Sequence, residues 1–120
     1  MSAMPPTSVA TTALLLAMAH RRTNDSTEAL RILEPLVASQ PRWAAAQREL
    51  GLALGDAGRG EQAVAVLRTA VRLQPTMADA WRALGDHLFA MGDSEGADLA
   101  YANHIRNSTR DPRLMEPALA

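Results

Sequence analysis

Four glycines, Gly51, Gly55, Gly58 and Gly60, fall within the ten residues GLALGDAGRG. A glycine-dense loop that feeds a helix can cradle a phosphate, because backbone N–H groups approach the anion without side-chain interference. A phosphate loop of that kind needs a preceding strand and a Gly-Lys-Ser/Thr ending, whereas these glycines run into Glu61. Other candidates for chemistry are equally thin. His20, His87 and His104 lack metal-ligand spacing among themselves. The stretch Asp93-Ser94-Glu95-Gly96-Ala97-Asp98 has the acid density of a calcium loop but lacks the full ligand order and the closing glutamate. Asp93 or Ser94 fits better as the cap of a following helix. Serines and histidines occur without a strained elbow or deep pocket to gather them into a triad. These residues predict no catalysis, no cofactor and no metal.

Composition removes further classes. Net charge is −1, with Lys+Arg 12 against Asp+Glu 13, and aromatics are 3% of the 120 residues. Neither the basic footprint nor the stacking platform of a nucleic-acid binder is present. A chain of this length fits one domain that buries about two-thirds of its unfolded surface. Without cysteine there is no disulfide framework, thiolate metal site or cysteine nucleophile, which suits a reducing compartment, and a cytoplasmic location is expected. The apolar run from Val9 to Ala19 ends in Ala17-Met18-Ala19, a small-residue pattern like a cleavage site. It has no preceding lysine or arginine and is followed by Arg21 and Arg22, the reverse of a signal peptide's polarity. It is also shorter than the roughly twenty residues a bilayer span needs, so no membrane partner is expected.

The elements that must position any site emerge from self-similarity. Ala29, Ala63 and Ala97 are spaced by 34 residues, and the same step links Leu16, Leu50 and Leu84. It also links Ala17, Gly51 and Gly85; Leu33, Leu67 and Tyr101; and Asn24, Gly58 and Gly92. Each period holds two amphipathic helical stretches. In the second copy these are Arg42 to Ala57 and Glu61 to Leu73, with apolar residues at three- and four-residue intervals. Gly58-Arg59-Gly60 ends the first cheaply because it tolerates positive φ. Pro75 stops the second, with Thr76 and Asp79 as candidate caps for the next helix, and Asp25-x-x-Glu28 forms a capping-box-like pair in the first copy. Gly51 and Gly55 then lie inside a helix, where their cost makes sense if a partner helix approaches closely.

This spacing resembles the tetratricopeptide repeat, whose pattern is W-x2-L-G-x2-Y, then A-x3-F, then P. The third copy has Trp81, Leu84, Gly85, Leu88, Ala97 and Tyr101. The second has Gln47, Leu50, Gly51, Leu54, Ala63, Leu67, Ala70 and Pro75, and the first Ala13, Leu16, Ala17, His20, Ala29, Leu33, Leu36 and Pro41. His20 and His104 stand where the pattern prefers an aromatic and a small residue, and Thr109 replaces the terminal proline. The resemblance implies an all-α fold, a helical-repeat solenoid of three antiparallel helix pairs in a right-handed superhelix. The expected organisation is a flexible segment 1–8, repeats at about 10–43, 44–77 and 78–111, and the start of a further or capping helix at 112–120.

Such a fold implies a scaffold that takes a protein or peptide ligand in a concave groove lined by the first helix of each pair. Carried over by register, that groove holds Leu14, Met18, Arg21, Arg48, Leu52, Arg82, Asp86 and Phe89, with Thr11, Glu49, Asp79 and Ala83 beside them. The family's grip on a C-terminal carboxylate needs donors where this chain has Leu14, Met18, Glu49, Asp79 and Ala83, so that mode is disfavoured. Arg48 and Arg82 could meet an acidic ligand, or Arg82 could pair with Asp86 four residues on. Leu114, Met115 and Leu119 look like the beginning of another repeat, which predicts a longer parent protein or a homo-oligomer formed through the exposed C-terminal face. More loosely, Ala80 to Ala120 is similar to the early repeats of bacterial tetratricopeptide proteins that continue into a sulfotransferase domain. That resemblance implies an enzymatic parent and assigns no catalytic residue here.

Overall fold

A computed structural model describes residues 6–109, and among them are six α-helices and no strand. In chain order these are α1 (Ser8–Arg22), α2 (Ser26–Ser39), α3 (Ala44–Asp56), α4 (Gly60–Leu73), α5 (Ala78–Ala90) and α6 (Ser94–Ser108). Consecutive helices pack as the pairs α1/α2, α3/α4 and α5/α6, and each pair stacks on the next through α2 against α3 and α4 against α5. The expected further helix at 112–120 lies outside the described residues.

Helix starts follow short polar side chains where these are free to cap. Thr7 Oγ1 accepts from the Ala10 N–H at 3.1 Å, Asp25 from Glu28 at 3.2 Å and Asp93 from Gly96 at 2.9 Å. Between pairs a different device operates. The expected Thr76 or Asp79 cap does not form; Met77 occupies the N-cap of α5, without a side-chain hydrogen bond, because its side chain is buried in the core. The turn is closed instead by the Trp81 indole N–H, which donates to the Pro75 carbonyl at 2.8 Å. One repeat earlier the Gln47 amide donates to the Pro41 carbonyl, also at 2.8 Å. Glutamine thus replaces tryptophan while preserving the donor that holds the proline turn. Pro41 and Arg42 belong to that turn, so α3 begins two residues later than the periodicity predicts.

Each helix pair is closed by one residue with positive φ: Asn24 at 63°, Gly58 at 78° and Gly92 at 87°. These form one column of the repeat, and asparagine is the side chain best tolerated there after glycine. Glycine is needed for a different reason at Gly51, where a Cβ would lie 2.6 Å from Leu67 Cγ. Gly85 stands in the same relation to Tyr101, at 2.7 Å from Cε1. The missing side chain lets the two helices of a pair approach over a large residue. Around these contacts Ala17, Ala29, Leu33, Ala46, Ala53, Ala63, Leu67, Ala70 and Ala80 are fully buried. The core is therefore built of alanines at close crossings and leucines that fill the gaps.

Register and burial part company at the first helix. Leu50 and Leu84 are 7% and 3% exposed, yet Leu16, at the same repeat position, is 51% exposed. The inner two are covered by the helix pair before them, whereas α1 has no such pair among the described residues. No described helix is long and apolar enough to cross a membrane.

Candidate functional site

The first helices of the pairs, α1, α3 and α5, run side by side and share one face, joined by an ion-pair row. Arg21 of α1 donates from Nε to Glu49 Oε1 of α3 at 3.0 Å, and its Nη1 lies 3.6 Å from Asp56 Oδ2. Arg48 Nε is 3.4 Å from Glu49 Oε2 and 3.9 Å from Asp79 Oδ2 of α5. Glu49 is the hub, a carboxylate only 2% exposed and held between two arginines. Burying a charge this deeply is tolerable only when it is paired and hydrogen-bonded. The row therefore straps α1 to α3 to α5.

This alters the roles the register implied. Leu14 is buried in the core rather than lining the groove, because it sits on the side of α1 turned toward α2 and the rest of the cluster. Met18 is half-buried against the same core. Leu52 is half-buried on α3, and Phe89 is 66% exposed at the end of α5. Arg21 is committed to internal carboxylates, whereas Arg48 lies at ion-pair distance from Glu49 and Asp79 without a hydrogen bond to either. Arg82 and Asp86 do not pair with each other. Asp86 instead accepts from the Tyr101 hydroxyl of α6 at 2.6 Å. That hydrogen bond, reinforced by burial and by the Asp86 charge, holds the phenol pKa above its ordinary value, and Arg82 partly opposes the shift. Arg82 itself makes no ion pair or side-chain hydrogen bond among the described residues.

Between the second and third pairs the face deepens into a cleft of about 590 Å³. Arg48, Asp79 and Arg82 form its sides, and His104, Asn107 and Ser108 of α6 form its far wall. The α6 contribution was not among the groove residues expected from sequence. Its signal was His104, which departs from the small residue of the pattern: α4 has Ala70 at that position and Leu73 where α6 has Asn107. The His104 Nδ1–H donates to the Ala78 carbonyl at 2.8 Å, since the carbonyl can only accept, and this fixes the ring against α5.

The glycine-rich stretch that raised the nucleotide question is accounted for by packing. Gly51 meets Leu67, Gly58 supplies positive φ, and Gly55 lies against the His87 ring, which occupies the space a Cβ would need. Among the described residues no group of three or more His, Asp or Glu is gathered to hold a metal ion.

Comparison with solved structures returns MamA proteins. The structure titled MamA RS-1 ArsTM double mutant superposes with a TM-score of 0.78 at 22% identity, over 86% of this chain and 58% of that one. MamA MSR-1 C2 gives 0.74 at 22% identity, over 84% and 58%. MamA D159K mutant 2 gives 0.76 at 22% identity, over 92% and 60%. The chain thus spans about three-fifths of the length of these structures, and at such identity the likeness establishes the fold. No curated protein matches the chain. The family model described as tetratricopeptide repeat matches residues 14–58 and 48–112, nearly the whole helical region. The turn column, the glycine crossings and the proline-turn donors recur at the 34-residue step of the sequence, and with this match the chain belongs to the tetratricopeptide repeat family.

Proposed function

We propose that this chain is a non-catalytic scaffold that receives a protein or peptide segment along the α1–α3–α5 face. The observation that carries the reading is the composition of that face. Its charges are neutralised internally by the Arg21–Glu49–Arg48–Asp79 row, while Arg82, Leu52 and Phe89 are left to an incoming chain. A floor already tied together by ion pairs lowers the ordering cost of binding, and exposed arginine and aromatic side chains are the types that most often anchor interfaces.

The test is a peptide array read with the purified chain, followed by affinities for the best binders. Combined Arg82→Ser and Phe89→Ser substitutions should weaken binding at least about tenfold, in line with the loss of anchor residues. Leu99→Ser, on the exposed side of α6, should leave it unchanged. Equal loss from both variants would refute the assignment of the face.

Two finer readings go with this one. Self-association through the outer side of α6 is supported by exposed Ile105 and Leu99 and opposed by Asp98, which stands where α2 and α4 carry buried Leu30 and Val64. Light scattering over a concentration series tests it. A longer parent with a sulfotransferase domain rests on the resemblance of Ala80 to Ala120 alone. The mass of the natural protein, read with an antibody against this segment, decides whether a further domain exists to be assayed.

A further inference from the structure

We propose that the cleft between the second and third helix pairs is a carboxylate-binding pocket, the point at which the α1–α3–α5 face takes hold of an acidic group on its ligand. This rests on the reading of that face as a peptide-binding surface and gives it a specific anchor.

Three observations converge on the cleft. The first is Arg82, on its wall, whose guanidinium has no carboxylate within ion-pair distance among the described residues. Its neighbour one turn on, Asp86, is already taken by the Tyr101 hydroxyl at 2.6 Å. The second is Arg48, whose donors are under-used. Its contacts to Glu49 and Asp79, at 3.4 and 3.9 Å, are longer than charge-assisted hydrogen bonds, and its one side-chain hydrogen bond goes to the Met77 sulfur at 3.9 Å. Its Nε–H is buried with no acceptor among the described residues. The third is the α6 wall. His104 and Asn107 replace the aliphatic pattern of Ala70 and Leu73 at the same repeat positions, and Ser108 adds a hydroxyl. A wall of this kind disfavours an apolar side chain. One Asn107 amide N–H goes to the Asn103 carbonyl at 2.8 Å and the His104 Nδ1–H to Ala78, so the donors left for a ligand are the second Asn107 N–H and the Ser108 hydroxyl.

The charge balance selects among anions. Glu49 is already matched by Arg21 at 3.0 Å, so the cleft carries Arg48 and Arg82 against Asp79, a net single positive charge. One carboxylate neutralises it. A dianionic phosphate would leave excess negative charge beside Asp79, a repulsion that grows in a partly desolvated cleft. The twelve basic residues of the chain are all arginine, and the planar arginine fork matches a carboxylate with two parallel N–H donors. The pocket differs from the family's carboxylate grip, whose positions here hold Leu14, Met18, Glu49, Asp79 and Ala83.

The carboxylate can belong to an acidic side chain or to a chain terminus, and the experiment separates the two. The ¹⁵N-labelled chain is titrated with three N-acetylated hexapeptides: one with an internal glutamate and an amidated C-terminus, its glutamine counterpart, and an all-neutral sequence with a free C-terminal carboxylate. Arg82 Nε–H and the backbone amides of Thr76 and Ser108 report on the cleft. Shifts with the glutamate peptide support the pocket with a side-chain source, and shifts with the free terminus support it with a terminal source. In either case Arg82→Gln, at an exposed position that leaves the melting temperature unchanged, should weaken the response about tenfold, the worth of a charge-assisted hydrogen bond. Cleft shifts no larger with either carboxylate peptide than with the glutamine peptide, or indifference to Arg82→Gln, overturn the pocket. If the glutamine peptide still shifts Leu52 and Phe89, the binding face stands without the carboxylate anchor. If no peptide shifts any amide on α1, α3 or α5, both readings fall together.

Discussion

Removing Glu49 tests whether the charged row holds the helix pairs together. Its carboxylate accepts from Arg21 at 3.0 Å and sits 3.4 Å from Arg48 Nε, with the side chain only 3% exposed. Stranding one member of a buried ion pair costs about 3–5 kcal/mol. In Glu49→Ala the stranded members are the arginines, and each keeps a second carboxylate, Asp56 at 3.6 Å for Arg21 and Asp79 at 3.9 Å for Arg48. The loss is then one charge-assisted hydrogen bond, about 1.5–3 kcal/mol, plus about 0.8 kcal/mol for a buried methylene. The expected total is about 2–4 kcal/mol. Arg21→Ala should cost a similar amount, because it leaves the buried carboxylate with Arg48 alone. The double variant should cost much less than the sum, since removing Glu49 also removes the stranded charge. Urea unfolding of all four proteins, read as a midpoint shift at constant slope, gives the coupling directly. A loss of 3 kcal/mol corresponds to a fall in Tm of roughly 12–24 °C for a domain of about 100 residues. A coupling energy below about 0.5 kcal/mol would refute the row as a strap and leave it a set of surface pairs.

Other outcomes follow from single contacts. Gly51→Ala should destabilise by about 1–3 kcal/mol despite the higher helix propensity of alanine, because the new Cβ would meet Leu67, which is fully buried and cannot withdraw; chemical denaturation checks it. Leu50→Ala should cost about 2–5 kcal/mol and Leu16→Ala within about 0.5 kcal/mol, although the two share one repeat position, and thermal melts of the pair measure the difference. Tyr101, the sole tyrosine, should ionise above the ordinary phenol value of 10.0 in an ultraviolet absorbance titration, and Asp86→Asn should bring it back down. Because the folded pKa is the higher one, the stabilisation from this hydrogen bond is complete below the unfolded phenol pKa. It is lost as pH rises through the folded one. Trp81→Ala should cost about 3–5 kcal/mol, as it removes both a half-buried ring and the donor to the Pro75 carbonyl. A near-neutral result in melting curves would remove that turn from the fold's supports.

The architecture was legible because it repeats. Ala29, Ala63 and Ala97 are spaced by a period that one helix pair must fill, and Asn24, Gly58 and Gly92 mark the one residue per pair that needs positive φ. Local stereochemistry and the apolar period act on near neighbours, so they can be read from one chain without coordinates. The site was less legible, because it depends on which distant side chain arrives first. Asp86 lies one turn from Arg82, which suggests a pair along the helix, but Tyr101 reaches it from α6 and leaves the arginine without an ion pair among the described residues. Glu49 reads as an ordinary polar residue of a helix until Arg21 and Arg48 close on it from two directions. Leu14 and Leu16 are equally apolar, and only the neighbouring helices decide that the first is core and the second exposed. Helix type, turns and repeat spacing were thus determined by the sequence itself. Burial, charge pairing and the cleft facing α6 came from helix packing within and between pairs, which brings together residues as far apart as Arg21 and Glu49 or Ala78 and His104.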